Sequence, residues 1–157
     1  MSCLAFEAPD IDAQILRAMH EFLADHGAAA VAGVSRATVV VFSARGPEVE
    51  ARVVETHARL KPTFLAQGLM FGEFYPSCDK PGLHNPAFRP LRSPWPLLVI
   101  RPMVEADLDF LLDQVPFVES YLAAQGPRGM LRLAQLLEEK GTHLGPARVA
   151  AFKSLLR

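Results

Sequence analysis

Tyr75, Cys78 and His84 fall within ten residues of one another, with Glu73, Asp79 and Asn85 close by in sequence. A phenol, a thiol and an imidazole are groups that move protons, attack electrophilic carbon or ligate metals. His84 makes the fewest demands, because a neutral imidazole ligates iron or shuttles a proton near neutral pH without further tuning. Cys78 as nucleophile, His84 as base and Asp79 or Glu73 as orienting acid supply the residue types of nucleophilic catalysis. One cysteine and one histidine fall short of a structural zinc site, which takes four protein ligands. Haem needs only one or two axial ligands, which His84, Cys78 or Tyr75 would provide, and its propionates are commonly met by arginines. Arg89, Arg92 and Arg101 follow directly. Guanidinium groups held together repel unless an anion lies between them, so the expected ligand is a small acidic molecule, with Glu73 also facing the site. The alternative is internal: Arg101 pairs with Glu73 or Asp107, while Arg89 and Arg92 cap loop carbonyls.

The elements that must position these groups are legible on either side. Seven of the thirteen prolines lie from Pro76 to Pro102, too dense for helix, and the stretch reads as a rigid loop between two strands. The strand before it, Gly68 to Tyr75, puts Leu69, Phe71, Glu73 and Tyr75 on one face and Met70, Gly72 and Phe74 on the other. The strand after it is Leu97 to Arg101. Upstream, Asp10 caps a helix carrying Ile11, Ile15, Met19, Phe22 and Leu23, which Gly27 stops. Small residues 28–33 then lead to a strand over Ala37 to Ser43, whose unbroken β-branched run predicts cover on both faces and a central place. A second helix carries Val49, Val53, His57 and Leu60 and should end before Pro62. His57, on that apolar stripe, reads as a hydrogen-bonded core residue. Acidic residues open a helix over Val104 to Asp113, and Pro116 starts another that the Gly126-Pro127 pair punctuates before Met130, Leu133, Leu136 and Leu137. Gly141 to Pro146 is a turn, and Val149 to Leu156 a last short helix. The order α-β-α-β-β-α with a helical C-terminal extension predicts an α/β (α+β) sandwich, a small three-stranded sheet with helices packed on it. The first two strands, if parallel, would be joined by a right-handed crossover.

Composition narrows the function. The chain has 157 residues, half of them apolar and 21% charged, which fits a single globular domain over 1–157. A net charge of -1 without long runs argues against nucleic acid. No apolar run reaches the ~18 residues that span a bilayer, and no basic-then-apolar leader opens the sequence, so a soluble, cytoplasmic protein is expected. Cys3, near what reads as a loose terminus, and Cys78 are not expected to form a disulfide. Neither a phosphate-cradling glycine loop nor a dinucleotide fingerprint is present.

The segment from Gly72 to Val104, GEFYPSCDKPGLHNPAFRPLRSPWPLLVIRPMV, resembles a family of small uncharacterised bacterial proteins often found beside natural-product biosynthetic genes. A more distant likeness is to a second uncharacterised bacterial family with a Phe-x-Pro strand end, here Phe74-Tyr75-Pro76, and an Arg-Ser-Pro-x-Pro segment, here Arg92 to Pro96. In both families the middle Phe-x-Pro position is frequently His, where this chain has Tyr75. The resemblance implies a shared pocket and a role near specialised metabolism. Two functions are therefore expected in competition. One is a small-molecule enzyme acting on an acidic or amino-acid-like substrate, an oxidoreductase in its sharpest form, with haem held by His84. The other is a non-catalytic binding or accessory module that docks a partner through the same loop, for which Phe88 and Trp95 would point outward.

Overall fold

A computed structural model describes residues 2–4, 10–29 and 36–157 of the chain. The expected mixed α+β architecture is present: a small sheet, helices packed on it and a helical C-terminal region. In chain order the elements are β1 (Ser2–Leu4), α1 (Ile11–Ala29), β2 (Thr38–Phe42), α2 (Pro47–Ala66), β3 (Leu69–Phe74), β4 (Leu97–Pro102), a 3-10 helix (Glu105–Phe110), α3 (Val115–Lys140), a 3-10 turn (Gly141–His143) and α4 (Pro146–Ser154). The chain divides into two compact units, Met1–Phe64 with Met70–Pro102, and Leu65–Leu69 with Met103–Arg157.

The first unit holds the sheet, in the order β1-β2-β4-β3. The predicted loose terminus is instead a short edge strand, with Ser2, Cys3 and Leu4 pairing in parallel with Val40, Val41 and Phe42. β2 is central, as its composition implies, and runs antiparallel to β4 with Val40 opposite Leu98 and Thr38 opposite Ile100. No crossover makes β2 and β3 neighbours, because β4 lies between them and leaves β3 at the outer edge. Cover is also one-sided rather than two-sided: Val40, Phe42, Leu98 and Ile100 are buried, while Val39, Val41, Leu97 and Val99 are only partly so. A β-branched run therefore reflected a strand flanked by neighbours on both edges more than one sealed on both faces.

Helices α1 and α2 supply the cover. Asp10 caps α1 as expected, its Oδ1 accepting the Ala13 N–H at 3.2 Å, and the helix continues two residues past Gly27. Of the small residues 28–33, Ala28 and Ala29 belong to α1 and the rest lie outside the described part of the chain. A fork of two 2.7 Å bonds from Arg59 to Asp12 ties α2 to α1, so the helices lie side by side. α2 does not end before Pro62 but runs on to Ala66. The proline removes one backbone hydrogen bond, and the burial of Phe64 and Leu65 in the next turn outweighs that loss. Phe64 stacks on Phe71 of β3 with ring centroids 4.1 Å apart and planes 6° from parallel. This contact fixes α2 against the edge strand.

The second unit is helical. The segment read as a helix over Val104 to Asp113 is a 3-10 helix, held at its start by the Val104 N–H donating to Asp107 Oδ2 at 2.8 Å. Within α3 the Gly126-Pro127 pair does punctuate: Gly126 takes φ 57 and ψ -136, and the helix is kinked there. The first half of α3 is anchored by the Tyr121 hydroxyl donating to the Glu105 carbonyl at 2.9 Å and by Gln125 Nε2 donating to the Met103 carbonyl at 2.8 Å. Leu133 and Leu136 from its second half and Phe152 of α4 complete the core of this unit. No helix among the described residues is long and apolar enough to cross a membrane.

Candidate functional site

At the edge strand, side-chain alternation turns Phe71 and Glu73 inward, and both are buried. Above them α2 presents His57, one turn before Leu60 and two before Phe64. His57 Nε2 lies 2.8 Å from the Phe71 carbonyl oxygen. A carbonyl only accepts, so Nε2 carries the hydrogen and donates it; His57 is thus the hydrogen-bonded core histidine its position predicts. Its other nitrogen, Nδ1, is 3.5 Å from Glu73 Oε1. Burial holds the His57 imidazole below its ordinary range, and the neighbouring carboxylate and Phe71 carbonyl pull only partly the other way. A neutral His57 with its hydrogen on Nε2 therefore turns a lone pair towards a carboxylate oxygen.

Glu73 has one more partner and one unmet need. Lys80, from the loop, places its ammonium on the same Oε1. Glu73 Oε2 is buried and receives no hydrogen bond from any described residue; the Thr56 hydroxyl, beside His57 in α2, is likewise buried without a partner. Leaving a buried acceptor of this kind unmet costs about 1–3 kcal/mol. All the contacts of this carboxylate thus converge on one oxygen, and the other is left open to a donor.

The Pro-rich loop is ordered by its own turns. The Tyr75 N–H donates to Leu91 O at 3.2 Å, and the Tyr75 carbonyl accepts from Cys78 at 3.2 Å and Ser93 at 3.4 Å. Glu50, in the first turn of α2, pins the loop's entry through Oε2, which accepts from the Ser77 backbone and hydroxyl. Cys78 is a free thiol with no exposed surface. The Tyr75 phenol is pushed up to about 12, by burial first, then by its hydrogen bond with the Cys78 thiol and by nearby Glu73 and Glu50. It stays protonated and acts as a neutral hydrogen-bonding group.

The remaining predicted residues are placed differently. Arg89 and Arg92 meet, but on Asp79: Arg89 Nε donates to Oδ1 at 2.7 Å and Arg92 Nη2 to the same atom at 3.1 Å. Arg89 also caps the Pro86 and Phe88 carbonyls, and Arg92 Nε caps the Cys78 carbonyl at 3.0 Å. This is the internal arrangement weighed above as the alternative to an anion site. The two guanidinium groups, Arg89 first, hold the Asp79 carboxyl below its ordinary range. Arg101, on β4, donates to the Pro102 carbonyl at 3.0 Å. His84 is exposed and enters none of the hydrogen bonds or ion pairs found among the described residues. No group of three His, Cys, Asp or Glu side chains among those residues is arranged to hold a metal ion.

The structure thus gathers Glu73, Tyr75 and Cys78 from the predicted set and adds His57 and Lys80. His57 carried a signal, a titratable side chain on an apolar helical stripe, but nothing in the sequence tied it to a strand 14 residues on. Lys80 carried none beyond its place in the loop. Among known proteins, no curated protein and no solved structure matches the chain. One family model, described as Domain of unknown function (DUF6875), matches residues 4–135, from the first strand into the second half of α3. That span takes in the whole Glu73 site and far exceeds residues 72–104, and the chain belongs to the DUF6875 family.

Proposed function

We propose that the chain is a small-molecule enzyme that takes a proton from an amino-acid-like substrate at the Glu73–His57 pair. The setting in bacterial specialised metabolism, implied by the resemblance of residues 72–104, belongs to the same proposal. The observation that carries the reading is the facing of two acceptor atoms, His57 Nδ1 and Glu73 Oε1, at 3.5 Å in a buried place. Uptake of one proton turns that opposition into a hydrogen bond, so the pair gains by accepting what a substrate gives up. Glu73 Oε2 is the atom without a partner and is the one to meet substrate. His57, with Nε2 committed to Phe71, is a positioning residue.

Of the substrate forms expected, the amino-acid-like one has more support than the purely acidic one, since Arg89 and Arg92 spend their donors inside the loop. Haem-dependent oxidation has less behind it. Among the described residues His84 has no hydrogen bond to orient its ring, Cys78 is sealed from solvent, and Tyr75 is held as the phenol where ligation uses the phenolate. The test follows the Glu73 side-chain carboxyl carbon by NMR while the protein is titrated with a panel of amino, hydroxy and keto acids. An amino-acid-like ligand is expected to bind and move that signal to the position of a protonated carboxyl with no net proton taken from the buffer, because the ligand supplies the proton, and Glu73→Gln is expected to weaken its binding. Binding that leaves the Glu73 carboxylate ionised would remove the proposal.

A second reading has its own observation: Leu83, Phe88 and Trp95 are 52%, 59% and 38% exposed on the loop. Outward aromatic residues are what a docking module presents, although Trp95 is already stacked by Arg45, whose guanidinium carbon lies 3.6 Å from the ring centroid. A photo-reactive amino acid at position 88 tests it in cells. A single stoichiometric cross-link, lost in Trp95→Ser, is the docking outcome; diffuse labelling is the outcome of a free surface.

A further inference from the structure

The lysine that reaches Glu73 comes from outside. The Lys80 side chain is 53% exposed, yet its ammonium touches a carboxylate whose own side chain is 3% exposed. Its four-carbon stem therefore runs from solvent to a buried acid, and the protein already shows what chemical group the acid accepts and along which track. Both contacts of Glu73 use Oε1, and Oε2 is buried and unmet. An ammonium has three donors, enough to serve both oxygens of one carboxylate.

Charge counting decides between addition and exchange. His57 is neutral through burial, so Glu73 and Lys80 balance one another. A second cation added beside Lys80 would leave a net positive charge in a buried place, which is strongly disfavoured. If Lys80 instead swings out into water, balance is kept, because its own half-exposed ammonium is solvated while the entering ammonium takes over the buried carboxylate.

We infer that Glu73 is the docking point for the primary ammonium of an unbranched amine substrate, which enters by exchanging with the Lys80 ammonium. The inference rests on the proton-acceptor reading above and names the group that supplies the proton. Burial lowers the proton affinity of an ammonium by up to about 3–5 pH units. One N–H proton then passes from substrate nitrogen to Glu73 Oε1, the oxygen that Lys80 has left and that His57 Nδ1 faces; the N–H bond breaks, an O–H bond forms, and the electron pair stays on nitrogen as a neutral amine. The pair His57 Nδ1 and Glu73 shares that proton, and the freed amine is ready to attack an electrophile. No oxidant or second reactant enters this step.

The experiment uses n-butylammonium, which copies the lysine side chain, and sodium butyrate at equal ionic strength as its opposite. The readouts are the Glu73 side-chain carboxyl carbon and the Lys80 Nζ signals by NMR. In the native protein n-butylammonium is expected to shift the Glu73 signal saturably while Lys80 Nζ moves to the position of a solvated lysine. Removing the competitor by Lys80→Ala should tighten the dissociation constant about tenfold, because the bound state no longer displaces an internal partner. Lys80→Gln, which keeps most of the stem, serves should the alanine variant fail to fold. Glu73→Gln should abolish saturable binding while folding normally, since its amide can donate to His57 Nδ1. Equal binding of n-butylammonium to Glu73→Gln, or an unchanged dissociation constant in the Lys80 variants, overturns the exchange. Butyrate binding with proton uptake would overturn the amine assignment yet leave the proton-acceptor reading standing, so the two fail separately.

Discussion

Phe64→Ala is expected to lower the stability of the sheet unit by about 3–5 kcal/mol, the range for deleting a buried phenylalanine ring. Phe64 has no exposed surface, and its ring lies flat on Phe71 at 4.1 Å between centroids. The site cannot simply collapse, because β3 is held from its other side by β4 and α2 is held by the Asp12–Arg59 fork. The cavity therefore persists and adds to the lost transfer energy. The position also sits after Pro62, where the helix has already forgone a backbone bond, so the last turn of α2 depends on this ring more than an ordinary helical turn would. Urea unfolding followed by circular dichroism checks it. A loss under ~1 kcal/mol would mean that α2 is anchored elsewhere. The loss should reach the surroundings of Glu73 as well, since Phe71 supplies the carbonyl that fixes the His57 tautomer.

In the helical unit the largest expected effect belongs to Gly126→Ala, a destabilisation of about 1–3 kcal/mol. With φ 57 and ψ -136, Gly126 occupies backbone space that alanine avoids. A Cβ there meets nothing within 4 Å, so the whole effect comes from the backbone and none from a clash. Asparagine, which tolerates the left-handed helical region, should not rescue, because ψ -136 lies outside that region. Thermal unfolding of the Ala and Asn variants is the measurement. Stability equal to or above that of the native protein would show that the two halves of α3 can straighten into one helix across position 126.

The parts of this fold that the sequence displayed were those set by local chemistry. Asp10 announced the start of α1, the Gly126-Pro127 pair announced the break in α3, and the alternation along β3 put Leu69, Phe71 and Glu73 on one face, which is buried. Failures came where a distant partner decided the outcome. Pro62 looked like a stop because its cost is local, whereas the burial of Phe64 and Leu65 that overrides it depends on the folded core. Ser2–Leu4 is too short to show a pattern and is a strand only because β2 offers it an edge. The site followed the same division. Two of the arginines clustered in sequence, Arg89 and Arg92, do converge, but on Asp79, ten residues before Arg89, which takes their charge. The His57–Glu73 contact joins a helix to a strand, and no spacing rule connects 57 to 73.

The closed turns of the loop have a consequence for how this family can diversify. Gly82 and Phe88 are joined by a 2.9 Å backbone bond, which seals off a small lobe bearing Leu83, His84 and the Asn85-capped turn. Lys80 and the Tyr75 anchor lie outside that ring. Residues can therefore be swapped or inserted between 83 and 87 without pulling on the strand that carries Glu73. Changes there alter what the lobe shows to the outside while the surroundings of Glu73 stay as they are.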